Sequence, residues 1–156
     1  MRNPKSLTQT QYERSAADKE VRKIVEQFAS DHSRLVASLR RILQNRLPAA
    51  NELVYEYRSW FVISYSPNNK GYDGILSIRG DEKGIKLFLN NGTTLPDPSK
   101  LLKGSGKQTR WIPIVKASDL KRPEVERLID ESIESNQIPF SESGKGVIVI
   151  MSGPKK

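Results

Sequence analysis

The sequence contains no cysteine and a single histidine, His32. Without cysteine the chain has no disulfide, no thiolate metal ligand and no thiol nucleophile, which is typical of a protein from a reducing compartment. One histidine excludes a multi-histidine metal site and leaves His32 as the one base for a histidine-dependent triad. The G-x-S-x-G and H-E-x-x-H motifs are also missing. The sequence therefore predicts no catalytic residue, no cofactor and no metal ligand.

Long hydrophobic runs are missing as well. Hydrophobic residues make up 36% of the chain and charged residues 28%, and no apolar run approaches the roughly 20 residues that a membrane-spanning helix needs. The first residues, MRNPKSLTQTQYERS, contain no apolar segment of the kind found in secretory signals. We therefore expect a cytoplasmic protein with no membrane segment. Its 156 residues are enough for about one domain with its own core.

Positive charge is in excess, with 26 basic against 18 acidic residues and a net charge of +8. Such a balance is compatible with nucleic acid, acidic lipid or phosphorylated metabolites, and also with ordinary solubility. The arginines of the second predicted helix do not form one stripe, because Arg40 lies about 100° around the helix from Arg41. Nucleic-acid binding through a basic surface is thus an alternative that no motif supports.

Hydrophobic residues at helical spacing predict three helices. The first covers residues 17–29, and the second begins at a cap at Ser30 or Asp31 and ends near Arg46. The third begins at Pro123, a residue that suits the first helical turn, and ends near Ser135. The polar stretch 1–16 has no periodicity and is predicted to be a flexible leader.

Between the second and third helices the pattern becomes that of strands. Runs rich in β-branched and aromatic residues predict strands over 74–79, 84–89 and 110–115, and either two strands or one bent strand over 52–58 and 59–65. Pro113 cannot donate to a strand ladder, which indicates an edge strand or a bulge. The expected fold class is α+β: an antiparallel sheet of about five strands, with two N-terminal helices and one C-terminal helix packed on it.

This plan divides the chain into a domain over 17–136 and a C-terminal extension over 137–156. The apolar run Val147–Met151 in the extension is either an added strand or a docking tail. It would pair with a sheet edge of its own chain or of a second copy, so monomer and homodimer both stay open.

The connection between the last two strands is the longest one in the predicted domain. Loops above about 12–15 residues are usually functional or disordered. Leu95, Leu101 and Leu102 are spaced to anchor this loop on the core, so we expect it to be ordered. Its second half brings cations and glycines together, with the candidate anion ligands Lys103, Gly104, Gly106, Lys107 and Arg110. The alternative is a plain turn with solvated cations, because the P-loop pattern is not matched.

Aromatic residues of the strands complete this candidate site. The strands beside the loop cations contain Tyr55, Tyr57, Trp60, Tyr65, Phe88 and Trp111. One alternative is that such aromatic residues belong to the core, as expected for about half of them. In the other, Tyr55, Trp60 and Trp111 would wall a pocket in which a planar or acidic ligand meets Arg110. Arg110 also has a structural alternative, in which it pairs with Asp97 or Glu56 and pins the loop.

The chain resembles the YdhG-like family of small bacterial domains over roughly Ile24–Ile133. The residues that carry the resemblance are Leu47, Pro48, Glu52, Tyr55, Leu95, Asp97, Pro98, Leu101, Leu102, Gly104, Gly106, Lys107 and Arg110. The resemblance implies an α+β fold with helices on an antiparallel sheet. It also implies that an activity is unassigned for most members, although one relative is described as a frataxin-like intracellular iron chaperone.

Taken together, these features predict a non-enzymatic YdhG-like binding domain, with a small anionic ligand or a partner held at the loop and the neighbouring aromatic residues. An iron chaperone is the first alternative. It would need carboxylates converging from distant parts of the chain, whereas Asp18 and Glu20 are flanked by Lys19, Arg22 and Lys23.

Overall fold

A computed structural model describes residues 8–140 and 144–151 of the chain. Within these residues, three α-helices and six strands follow in the order α1 Gln11–Ala29, α2 Ser33–Arg46, β1 Asn51–Glu56, β2 Phe61–Ser66, β3 Leu76–Asp81, β4 Gly84–Leu89, β5 Arg110–Ile114, α3 Pro123–Glu134 and β6 Ile148–Ile150. The fold is therefore α+β. None of the helices described is both long enough and apolar enough to cross a membrane.

The six strands form one sheet in the order β5-β4-β3-β2-β1-β6. Neighbours from β5 to β1 are antiparallel, and β5 with Pro113 is an edge strand, as the proline indicated. β6 runs parallel to β1. The sheet is therefore mixed and six-stranded, which corrects the prediction of an antiparallel sheet of about five strands. Parallel strands need a long crossover, and here the chain returns through α3 before β6 lies beside β1.

Residue 146 must be glycine for β6 to reach this position. Its N–H donates to the Pro48 carbonyl at 2.8 Å, and a Cβ atom at Gly146 would lie 1.7 Å from the Ala50 carbonyl oxygen. The next residue, Val147, donates its N–H to the Asn51 side-chain oxygen at 3.0 Å. The extension over 137–156 thus contributes a strand through residues 148–150.

The helices and one face of the sheet enclose the core. Inward residues of the strands, such as Val54, Ile63, Ile78 and Leu87, form one hydrophobic cluster with the buried residues of all three helices. In a strand the side chains point alternately to the two faces. The intervening residues therefore point to the opposite face of the sheet.

The first helix begins at Gln11, six residues before its predicted start. Thr10 and Glu13 form a capping box, in which Glu13 N–H donates to Thr10 Oγ1 at 3.0 Å and Thr10 N–H donates to Glu13 Oε1 at 2.8 Å. Residues 11–16 are therefore helical, which corrects the predicted leader over 1–16. Residues 1–7 of that leader lie outside the described residues.

The start of the second helix also differs from the prediction. Ser30–His32 form a turn of 3-10 helix, and α2 begins at Ser33 with no side-chain cap at its N-terminus. Ser30 and Asp31 therefore do not cap α2. The third helix covers Pro123–Glu134, in agreement with the prediction.

A buried polar network joins the first strand to the helices. Arg40 donates to both carboxylate oxygens of Glu52, at 3.1 and 2.9 Å, and to Asp18 at 2.8 Å. Glu52 also accepts hydrogen bonds from Gln44 and from the Tyr65 hydroxyl. Burial lowers the pKa of Arg40, but its hydrogen bond and charge interaction with Glu52 outweigh burial, so the pKa is raised. This network fixes β1 against α1 and α2.

Candidate functional site

The face of the sheet opposite the helices, here called the outer face, carries aromatic and cationic side chains. Its residues follow from the strand register, which lines up side chains across neighbouring strands. One cross-strand row consists of Tyr55, Val62, Arg79, Lys86 and Pro113, and the next row consists of Leu53, Ser64, Ser77, Phe88 and Trp111. These two adjacent rows therefore bring cationic and aromatic side chains together on the outer face.

The loop over 67–74 covers the part of the outer face that belongs to β1 and β2. Asn68 holds the loop in place, since it interacts with Ser66 and with Asp73 and its carbonyl accepts from Asn51. Gly71 approaches Tyr55 so closely that a Cβ atom there would lie 2.2 Å from the Tyr55 hydroxyl oxygen. The loop thus forms a raised rim over the β1 and β2 part of the outer face.

A cavity of about 310 Å³ lies beneath this rim and is called here the aromatic compartment. Tyr55, Tyr57 and Trp60 form one wall. The Tyr57 and Trp60 rings are stacked with their centroids 4.4 Å apart, and the Tyr55 and Tyr57 centroids are 6.4 Å apart. Tyr72 stands at the mouth with 81% of its surface exposed. A large aromatic side chain held open to solvent beside other rings is available to stack on a planar ligand.

Arg79 lies on the other side of this compartment. Its guanidinium carbon is 4.0 Å from the centroid of the Phe88 ring, and its Nε–H donates to Ser77 Oγ at 3.2 Å. Burial lowers the pKa of Arg79, and Tyr57 opposes that shift. Among the residues that the structure describes, no carboxylate pairs with Arg79. A half-buried guanidinium without an ionic partner is disposed to bind an anion, because an anion would offset its desolvation.

A second cavity of about 660 Å³, the polar compartment, adjoins the first. Tyr72, Arg79 and Asn90 line both cavities. Amides and hydroxyls provide much of the remaining lining, from Thr94, Gln108, Thr109, Ser135, Asn136 and Gln137. The carboxylate of Asp73 also lines it and accepts a hydrogen bond from Asn68 at 2.9 Å. Arg79 thus stands at the junction of a ring-lined space and a hydrogen-bonding space.

The structure brings some of the predicted site residues together and leaves others apart. Tyr55 and Trp60 line the aromatic compartment. Trp111 lies on the outer face two strands beyond Arg79, where its ring centroid is 6.2 Å from that of Phe88 and 4.1 Å from the Lys86 ammonium. Its backbone pairs with that of Lys103 through bonds of 2.8 and 3.0 Å.

The glycines and cations of the long loop lie at the β5 edge. The exposed residues here are Lys103, Gly104, Gly106 and Lys107. Gly104 has a φ of 116° and lies against the Trp111 ring, where a Cβ atom would be 3.3 Å away. None of these residues lines either described compartment.

Arg110 is used within its own loop. Its guanidinium donates to the carbonyls of Gly106 and Thr109, and it forms no ion pair with Asp97 or Glu56 in the described part of the chain. The Asp97 carboxylate instead accepts the backbone N–H groups of Leu101 and Leu102, at 2.9 Å each. Leu95 is buried, and Leu101 and Leu102 pack against the core, so the loop is ordered by local contacts.

Sequence reasoning missed Arg79 and Tyr72, and it counted Tyr57 among the strand aromatics without selecting it for the site. For Arg79 a signal exists in the strand pattern: Ser77 and Arg79 alternate with the core residues Leu76 and Ile78, so they share the outer face. The register of the β3–β4 hairpin then places Phe88 opposite Ser77. For Tyr72 the sequence offers no comparable signal, because a loop over a sheet has no periodicity.

Residues that could hold a metal ion are not grouped in the part of the chain that the structure describes, where no three His, Cys, Asp or Glu residues converge. Comparisons with protein-family models, curated proteins and solved structures found no match to this chain.

Proposed function

We propose that this chain is a non-enzymatic binding domain that holds a small anionic ligand with a planar group on the outer face of its sheet. The planar group occupies the aromatic compartment, and the acidic group pairs with Arg79. The observation that carries the proposal is the half-buried guanidinium of Arg79, which has no carboxylate partner among the described residues and stands beside a stacked row of aromatic rings.

The chemistry of each part favours this ligand class. A guanidinium presents N–H groups in a planar fork that matches a carboxylate or phosphate through two parallel bonds. Water is partly excluded around Arg79, and an ionic contact in such a place is stronger than on an open surface. The cavity of about 310 Å³ is within the usual range of small-molecule sites, roughly 300–1,000 Å³.

The long loop contributes to the proposed site through residues other than its cations. Thr94, Gln108 and Thr109 line the polar compartment, where they offer hydrogen bonds to the rest of the ligand. The YdhG-like resemblance is kept as part of this proposal. The chain shares the α+β class that the resemblance implies, but its sheet is mixed where the resemblance implies an antiparallel one. An iron chaperone would need converging carboxylates, and the described residues contain no group of three or more such ligands.

The proposal can be tested by NMR titration with inorganic phosphate, adenosine 5′-monophosphate and citrate. We expect the mononucleotide to shift the amides of Tyr72, Arg79 and Asn90, and to bind more tightly than phosphate because its ring adds stacking. Arg79→Ala is expected to weaken mononucleotide binding about tenfold or more, as for the loss of hydrogen bonds to a charged group. Arg79→Lys is expected to weaken it nearly as much, since it keeps the charge and loses the fork.

Arg110→Ala is the matched control. It removes an arginine of the same protein whose guanidinium binds loop carbonyls, so we expect a loss of stability with unchanged mononucleotide affinity. Shifts confined to Gly104–Trp111, or equal affinities of the Arg79→Ala variant and the wild type, would contradict the proposal.

A further inference from the structure

Cations and aromatic rings continue across the outer face beyond the pocket. Arg79 and Lys86 are neighbours in one cross-strand row, and Phe88 and Trp111 are neighbours in the next. Each cation lies over a ring of the other row, at 4.0 Å for Arg79 on Phe88 and 4.1 Å for Lys86 on Trp111. The surface from the pocket to the β5 edge is thus a repeated pairing of one positive charge with one ring.

The length of this surface exceeds that of a small ligand. Adjacent strands are about 4.8 Å apart, so the four steps from Tyr55 on β1 to Trp111 on β5 cover about 19 Å. Beyond Trp111 the exposed lysines Lys103 and Lys107 extend the positive charge, and the whole chain carries a net charge of +8. A partner that fits must be extended, negatively charged along its length and furnished with several planar groups.

We infer that the outer face binds single-stranded nucleic acid. Successive bases lie on the aromatic compartment, on the Arg79 guanidinium that covers Phe88, and on Trp111. Phosphates pair with the N–H edge of Arg79, with Lys86 and with the loop lysines. The inference rests on the proposed function, since the pocket is one end of this track, and it names the ligand class. Single strands expose base faces that stack on aromatic side chains and on guanidinium planes, while a positive groove follows the backbone.

The cations over the rings do not prevent stacking. A cation over an exposed ring contributes about two- to fivefold to an equilibrium constant, whereas stacking of one base contributes about five- to 150-fold. Lys86 is exposed and has a flexible stem, so a base displaces its ammonium from Trp111 and the ammonium then pairs with a phosphate. Arg79 stays on Phe88 and offers its own outer plane to a base.

A duplex and an acidic peptide fit the surface less well. Bases in a duplex are stacked on one another, so the rings of a sheet face have no base face to contact. An acidic peptide matches the charge, but it leaves the half-buried rings of the outer face without partners. These two polymers therefore serve as competing probes.

The test compares probes of different length on the wild-type chain by fluorescence anisotropy and calorimetry. The probes are an oligothymidylate of about ten nucleotides, thymidine 5′-monophosphate, a DNA duplex of the same length and polyglutamate. We expect the oligonucleotide to bind at least about tenfold more tightly than the mononucleotide, as one additional stacked base would give. We also expect it to bind more tightly than the duplex or polyglutamate.

Variants at the far end of the track separate this inference from the proposed function. Trp111→Ala is expected to weaken the oligonucleotide about tenfold and to leave the mononucleotide unchanged, and Trp111→Phe should retain most of the affinity. Lys86→Ala is expected to reduce the slope of log affinity against log salt by about 0.7, the value for one phosphate of a single strand. Tyr12→Ala is the control, because Tyr12 is 84% exposed on α1 and away from the outer face.

Equal affinities for the oligonucleotide and the mononucleotide, with no effect of Trp111→Ala, would overturn the inference and leave the pocket intact. Binding of the duplex or polyglutamate as tight as that of the single strand would also overturn it, because charge alone would then account for binding. Failure of the proposed function has a different signature, in which Arg79→Ala leaves mononucleotide affinity unchanged.

Discussion

Removal of Arg40 tests how much of the stability depends on the buried network. In the Arg40→Met variant the Glu52 carboxylate keeps only the Gln44 amide and the Tyr65 hydroxyl as described partners. The carboxylate is 2% exposed, so it stays charged without a cation or takes up a proton, and either outcome costs free energy. Breaking a buried pair in this way costs about 3–5 kcal/mol, out of the roughly 5–15 kcal/mol of unfolding free energy typical of a domain.

A double-mutant cycle shows whether the uncompensated charge is the cause. The double variant Arg40→Met/Glu52→Gln carries no buried charge at this place, and the new amide oxygen still accepts from Tyr65. We therefore expect the double variant to be more stable than Arg40→Met alone by about 2 kcal/mol, as for the replacement of ion pairs by neutral groups. Asp18→Asn is the control, because Asp18 is 36% exposed and its bond to Arg40 contributes about 1 kcal/mol or less.

Urea denaturation followed by circular dichroism at neutral pH measures five proteins: the wild type, Arg40→Met, Glu52→Gln, the double variant and the Asp18→Asn control. Two results would refute the reasoning: a cost of Arg40→Met below about 1 kcal/mol, or a double variant whose cost equals the sum of its two single substitutions. In the first case solvent reaches Glu52 when Arg40 is absent. In the second the two residues act independently, which the bond distances of 2.9 and 3.1 Å between them contradict.

Three further predictions concern the fold. Burial, and then the charge of Glu52, raises the pKa of the Tyr65 hydroxyl above its usual value of about 10. The stability linked to the protonated hydroxyl is thus complete below about pH 10 and is lost as the pH rises above it. Tyr65→Phe should cost about 1–3 kcal/mol at neutral pH, and urea titrations at about pH 11 should show a smaller cost. A cost that does not change with pH would contradict this. Thr10→Ala should lower the stability by about 1 kcal/mol and speed amide hydrogen exchange over residues 11–16. Thr8→Ala is the control, and unaltered exchange in Thr10→Ala would contradict the prediction. Gly146→Ala should lower the stability by more than about 2 kcal/mol, because its Cβ would meet the Ala50 carbonyl. Gly106→Ala is the control and should cost far less, because the nearest atom to a Cβ there is 3.6 Å away. Equal melting temperatures of the two variants would contradict this, since the segment around Gly146 would then be free to move away from Ala50.

The helices could largely be predicted from the sequence, because hydrophobic periodicity and capping residues are visible within short segments. The hydrophobic stripe that begins at Val125, two residues after Pro123, predicted α3 almost to its last residue. The start of α1 was missed because residues 11–16 contain few apolar residues, although the Thr10–Glu13 capping box is visible in the sequence. Periodicity therefore located the buried part of each helix better than its ends.

Features that depend on contacts between residues far apart in the chain could not be predicted from the sequence. β6 has three residues, and nothing near Ile148 indicates that its partner is β1 rather than another edge. The role of Arg79 depends on the register that places its row beside Phe88 and under the 67–74 loop. The loop cations are close together in the sequence, whereas the residues of the outer face come from five separate strands.

The parallel pairing of β6 with β1 has a consequence for the order of folding. The hydrogen bond between Val147 and Asn51 spans 96 residues, and contacts of such separation form slowly because a long loop must first close. During synthesis β1 is made early and pairs with β2, while its other edge stays open until residues 148–150 have been made. Open strand edges recruit other chains, so the nascent protein is most exposed to aggregation in the interval between the completion of β1 and the arrival of β6.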